Sequence, residues 1–128
     1  MKLLGHGIDL ISLSSFRNLM ATSEAAFLSR TFQKSEVKEF PDGPKRMESI
    51  AGRFAAKEAV LKALGTGYGN GIAFTDVRVF REPGKAPSVV LSGDAKKVAS
   101  TLGITGWQLS ISHSEEVALA SAIAVSEK

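Results

Sequence analysis

The segment from Lys45 to Leu64 constrains this chain more than any other, because it repeats apolar residues at helical spacing and stops on a glycine. At about 100° per residue, Ile50, Phe54, Leu61 and Leu64 fall within one arc, and Gly65 is a natural stop. Lys57 lies inside that same arc. An unpaired ammonium is costly to bury, so Lys57 must either stretch its head to water or meet an anion from the protein or a ligand.

Elements of other kinds surround this helix. Leu3 to Ile11 reads as a strand, with Leu4, His6, Ile8 and Leu10 on one face and Leu3, Gly5, Gly7, Asp9 and Ile11 on the other. The two glycines leave room beside Asp9. Ser12, Ser14 or Ser15 is placed to cap a helix holding Phe16, Leu19 and Met20, and Ser23 with Glu24 to start a second one burying Phe27, Leu28 and Phe32. Pro41-Asp42-Gly43-Pro44 breaks the pattern as a loop. After the glycine-rich stretch from Gly65 to Gly71, Asp76 to Arg81 and Ser88 to Leu91 read as a hairpin turning through Pro83-Gly84-Lys85. Asp94 then caps a short helix through Leu102, ended by Gly103, and two strands follow, Trp107 to His113 and Val117 to Val125. The expected fold is α+β: one domain over residues 1–128, with an antiparallel sheet packed against one long helix and shorter helices.

Composition narrows the chemistry. With 44% hydrophobic and 23% charged residues, the chain has the balance of a folded soluble protein. No apolar run approaches the roughly 20 residues that span a bilayer, and the N-terminus lacks a secretory pattern, so no membrane role and a cytoplasmic location are expected. The absence of cysteine removes disulfides, thiolate nucleophiles and cysteine zinc sites, and only His6 and His113 remain as nitrogen ligands. Any metal must therefore be held mainly by oxygen. A net charge of +3 tilts the chain towards anionic partners. Nucleic acid is not expected among them, because the aromatic residues are few and not interleaved with a basic stripe.

Within Arg53-Phe54-Ala55-Ala56-Lys57-Glu58-Ala59-Val60-Leu61-Lys62, Glu58 and Lys62 stand one turn apart beside the buried arc. Read alone, they are an ordinary surface pair. Asp9, near the end of its strand, either caps the next helix or offers its carboxylate to a ligand. If the helix packs against this strand, Asp9 and Glu58 supply two carboxylate oxygens to one Mg²⁺, whose remaining sites suit water and phosphate. The glycine-rich loop lacks Walker A spacing and follows a helix, so it reads as a turn with close backbone approach. His113 continues the alternation of Leu109 and Ile111 and reads as a satisfied histidine at a strand end.

Taken together, Gly7-Ile8-Asp9, Arg53-Phe54-Ala55-Ala56-Lys57-Glu58-Ala59 with Lys62 and Gly65-Thr66-Gly67, and Ser110-Ile111-Ser112-His113 resemble the holo-acyl-carrier-protein synthases in order and spacing along almost the whole chain. The resemblance implies transfer of 4′-phosphopantetheine from coenzyme A to a serine of an apo acyl carrier protein, with adenosine 3′,5′-bisphosphate leaving. It implies that Asp9 and Glu58 bind Mg²⁺ at the coenzyme A pyrophosphate and that Lys62 neutralises charge near the reacting phosphate. It further implies that Arg53, His113 and Ser114, with Lys45 and Arg46, face the phosphates and adenosine, and that Gly65 belongs to the loop beside the nucleotide. The family's usual assembly is a homotrimer with shared sites, so His113 would serve the neighbouring subunit's Asp9 and Glu58. One departure stands out: the family's first helix often carries several arginines that meet the carrier, whereas Ser12 to Arg30 holds only Arg17 and Arg30. The alternative reading is a non-catalytic module that binds coenzyme A or another nucleotide through the same basic residues.

Overall fold

The computed structural model describes residues 1–65 and 71–127. Its elements are β1 (Lys2–Ser12), α1 (Leu13–Thr31), α2 (Lys34–Val37), α3 (Arg46–Leu64), β2 (Val77–Phe80), β3 (Ser88–Leu91), α4 (Gly93–Leu102), β4 (Gly106–His113) and β5 (Val117–Ser126). A 3₁₀ turn, Phe74–Asp76, precedes β2. The α+β class is as expected, and the described residues form two antiparallel sheets: β1, β5 and β4 in that order, and the β2–β3 hairpin.

The long helix α3 lies on one face of the three-stranded sheet, and small residues make that contact. Gly52, Ala55, Ala56, Ala59 and Ala63 of α3 are buried, as are Ala118, Ala120, Ala122 and Ala124 of β5. A Cβ added to Gly7 would strike the backbone of Ala59, and one added to Gly5 the backbone of Ala63. The two β1 glycines thus let helix and strand approach to backbone contact, which carries Asp9, two residues on, to the flank of α3. Of the arc predicted from the larger residues, Leu61 and Leu64 join the core of these alanines together with Val77 and Val79. Ile50 and part of Phe54 pack into an aromatic cluster with Phe16, Phe27, Phe32 and Phe40, in which Phe27 and Phe54 meet edge to face at 5.0 Å.

Lys57 is fully buried and meets an anion from the protein. Its Nζ donates to Glu36 Oε1 at 2.9 Å, to the Phe74 carbonyl at 3.0 Å and to the Val77 carbonyl at 2.6 Å, and stands 4.9 Å from the centre of the Phe32 ring. Glu36, 1% exposed at its side chain, also accepts from the Gln33 and Val79 amides at 2.8 and 3.0 Å. Burial pulls the Lys57 ammonium below its ordinary pKa of 10.5, and the Glu36 charge opposes that pull. The pair pins α2, the 3₁₀ turn and β2 to α3.

Several boundaries differ from the sequence reading. The two helices expected after β1 are both present, running on within α1 and divided at the non-helical Ser23 (φ −137°, ψ 17°), where the second was to begin. Ser12 precedes α1, but its hydroxyl contacts that of Ser14 at 3.1 Å and makes no capping bond. Ser92, not Asp94, precedes α4, so Asp94 lies in the first helical turn. Asp76 belongs to the 3₁₀ turn, where its carboxylate accepts from the Ala73 amide at 3.2 Å, and the strand begins one residue later. The single-turn α2 lies in a stretch too short for periodicity to reveal. Among the described residues, no helix is long and apolar enough to cross a membrane.

Candidate active site

The residues singled out from the sequence collect in two groups, on opposite flanks of α3. On one flank, β1 and α3 bring Asp9, Glu58 and Lys62 together. Lys62 Nζ donates to Asp9 Oδ1 at 3.0 Å and to the Ile8 carbonyl at 2.9 Å, so Asp9 caps no helix. Among the described residues Lys62 makes no ion pair with Glu58, although the two are one turn apart. Partial burial raises the Glu58 carboxyl above its ordinary 4.5, the Asp9 charge raises it further, and Lys62 opposes both. Two carboxylates that repel each other beside a half-exposed ammonium form a place where an added cation gains energy.

The second flank holds a polar cavity of about 320 Å³ lined by Ser49, Arg53, Arg81, Ile111, Ser112 and His113. The Arg53 guanidinium is fixed by the Val79 carbonyl and by Glu39 Oε1, both at 3.0 Å. His113 ends β4, and its Nδ1 lies 3.1 Å from Glu48 Oε1. A carboxylate only accepts, so Nδ1 carries the proton of that bond. The bond holds the Glu48 carboxyl below its usual range, against the opposing effect of burial.

Lys62 and Arg53 are nine positions apart on α3, as are Glu58 and Ser49, and at about 100° per residue each pair points to opposite sides of the helix. The strands agree. Asp9 pairs with Ala120 and His113 with Ala118 on β5, so Asp9 and His113 stand on the two outer strands with α3 between them. Within one chain, the carboxylate group and the His113 cavity do not meet.

The remaining predicted residues border these groups. Lys45 is exposed and lies 3.7 Å from Glu48. Arg46 is engaged by Glu24 at 3.2 Å and 3.3 Å and by the Pro41 carbonyl at 3.4 Å. Ser114 Oγ accepts from the Glu116 and Val117 amides, shaping the turn between β4 and β5. Gly65 terminates α3 in the left-handed region (φ 77°), with its amide bonded to the Lys62 carbonyl at 3.0 Å. Among the described residues nothing packs within 4 Å of the place a Cβ would take there, and the left-handed φ is the requirement that Gly65 meets. Residues 66–70 of that loop lie outside the described residues.

Sequence reasoning missed Glu48, Gly52, Arg81 and Glu36. A signal for the first two was present: Glu48 and Gly52, four apart, continue the small-residue stripe of Ala55, Ala56 and Ala59 onto the sheet. Glu36 and Arg81 come close only through tertiary folding and carried no local signal.

The model of the 4'-phosphopantetheinyl transferase superfamily matches residues 5–120. A protein of Koribacter versatilis named holo-[acyl-carrier-protein] synthase is 39% identical over 94% of this chain and 97% of its own length. Among solved structures, holo-[acyl-carrier-protein] synthase from Neisseria meningitidis superposes with a TM-score of 0.85 at 32% identity, covering 96% of this chain and 98% of that one. The Helicobacter pylori synthase, solved in complex with coenzyme A, has a TM-score of 0.79 at 32% identity, covering 94% of this chain and 99% of that one. The match spans both flanks of α3, and this chain belongs to the holo-acyl-carrier-protein synthases of the 4'-phosphopantetheinyl transferase superfamily.

Proposed function

We propose that this protein transfers the 4′-phosphopantetheine group of coenzyme A to a serine hydroxyl of an apo acyl carrier protein, with Mg²⁺ as its metal. The observation that carries this reading is the Asp9–Glu58–Lys62 group. It offers two mutually repelling carboxylates and an ammonium, a donor set that suits a hard cation and a pyrophosphate together. Among the described residues no cluster of three or more histidine, aspartate or glutamate side chains could hold a metal alone. That fits Mg²⁺, which commonly takes one or two carboxylates and fills its other positions with phosphate and water. When bound, it would neutralise pyrophosphate charge and stabilise the charge that develops as the bridge breaks.

The chain's own residues supply position and charge. The carrier serine oxygen attacks the phosphorus that bears pantetheine, and the bridging P–O bond breaks. The electron pair leaves on adenosine 3′,5′-bisphosphate. Lys62, anchored on Asp9 and the Ile8 carbonyl, holds positive charge beside the reacting phosphate. The serine proton passes to Glu58 or to water in the site. Arg53, His113 and Ser114, with Lys45 and Arg46, receive the phosphates and adenosine, and Gly65 starts the loop beside them.

Because one chain keeps its two groups apart, the proposal includes a homotrimer in which one subunit's Asp9 and Glu58 face the next subunit's His113. The sheet face turned away from α3 supports this, since it exposes Ile8 (52%), Leu10 (62%) and Val117 (38%) in adjoining register positions. The setting proposed is the cytoplasm, within lipid and fatty-acid biosynthesis. The test is to incubate purified protein, coenzyme A and an apo carrier with and without Mg²⁺ and to weigh the carrier. The reading expects a gain of one phosphopantetheinyl group that EDTA abolishes, and no gain with any carrier overturns it.

A further inference from the structure

The His113 ring rests on α3 in a seat made by two residues one helical turn apart. Glu48, buried in the first turns of α3, takes the ring's Nδ1 at 3.1 Å. Gly52, four residues on, lies beneath the ring: a Cβ there would stand 3.4 Å from His113 Cδ2 and 3.0 Å from Ile111 Cγ2. An alanine there would touch the ring at ordinary contact distance and ask Ile111 to give by a few tenths of an ångström, whereas a side chain that branches beyond Cβ would press on the ring itself. With Nδ1 committed to a carboxylate, Nε2 is the ring nitrogen left for a ligand, on a side chain that lines the cavity with Arg53 and Arg81.

We propose that Glu48 and Gly52 are positioning residues for coenzyme A: Glu48 fixes the orientation of His113, and Gly52 leaves room for the ring against the helix, so that Nε2–H of the imidazolium, in which both ring nitrogens donate, meets a phosphate of the bound nucleotide. This rests on the transfer function above. Glu48 does not line the cavity of Arg53, Arg81 and His113, so it reaches an anion there only through another group. The His113 bond is that route, as with carboxylates that orient histidines from behind.

The test is coenzyme A affinity by calorimetry, together with KM and kcat for transfer, in Glu48→Gln, Gly52→Val, His113→Ala and the two double variants. Glu48→Gln and Gly52→Val, whose γ carbons would press on the ring, should each weaken coenzyme A binding about tenfold, the scale of one charge-assisted hydrogen bond, and should raise KM more than they lower kcat. In the His113→Ala background neither change should weaken binding further, because the group they act through is gone. Full additivity in the double variants, or unchanged affinity in both single variants, overturns the proposal. If Glu48→Gln fails to fold, Gly52→Val carries the same comparison. A wild-type protein that binds coenzyme A but modifies no carrier would refute the function and still leave the seat measurable by calorimetry.

Discussion

Replacing Lys57 by methionine should cost this protein a large part of its stability without any direct effect on chemistry. The ammonium is fully buried and makes three hydrogen bonds, so its removal leaves the buried Glu36 carboxyl group with, among the described residues, the Gln33 and Val79 amides as its remaining partners. Breaking a buried pair from one side typically costs about 3–5 kcal/mol. Methionine fills most of the vacated length, so the cavity contribution is small and the lower half of that range applies. With a urea dependence of about 2 kcal/mol per molar for a chain this size, the midpoint should fall by roughly 1.5–2 M. Urea unfolding at fixed protein concentration, followed by circular dichroism, measures this directly. The Glu36→Gln/Lys57→Met double variant should be more stable than Lys57→Met alone, because no buried charge is left unpaired. A loss below about 1 kcal/mol for Lys57→Met, or a double variant as unstable as the sum of both single ones, would refute the reasoning.

Glu58→Gln should raise the melting temperature in metal-free buffer at neutral pH and abolish most transfer. Its folded carboxyl titrates above the ordinary 4.5, so the native state holds the extra proton in the interval just above that value and wild-type stability falls as pH rises through it. The variant should lack that fall, and Mg²⁺ with coenzyme A should stabilise wild type more than the variant in thermal scans. Gly7→Ala should destabilise the fold by about 1–3 kcal/mol, because the new methyl meets the Ala59 backbone, and should weaken transfer by displacing Asp9 from Glu58. Leu10→Lys on the open sheet face should leave the secondary structure intact by circular dichroism while shifting the protein to monomer in analytical ultracentrifugation.

The long helix, the strand faces of β1 and the β2–β3 hairpin were legible because periodicity and glycine placement report them directly. The side of α3 that faces the sheet was not. It is built from glycine and alanine, whose small apolar area is outweighed in the pattern by Ile50, Phe54, Leu61 and Leu64. Lys57 was recognisable as an anomaly, but its partner Glu36 lies 21 positions away, on a helix of four residues that periodicity cannot detect. The grouping of Asp9 with Glu58 followed from assuming that α3 packs on β1. The Glu48–His113 bond joins positions 65 apart and depends on the sheet order β1-β5-β4, which no local pattern states.

A transfer site made by two subunits can be tested by mixing two defective variants, assayed at a coenzyme A concentration far below the raised KM of His113→Ala, where neither alone turns over appreciably. Glu58→Gln and His113→Ala proteins would be unfolded separately, refolded together in equal amounts, and supplied with apo carrier, coenzyme A and Mg²⁺, with carrier mass read over time. In a ring of three, random assortment gives roughly a quarter of the sites both an intact Glu58 and an intact neighbouring His113. Recovery of about a quarter of wild-type turnover, absent when either variant is refolded alone, is the predicted result. A mixture no more active than the separate variants would contradict a site shared between subunits.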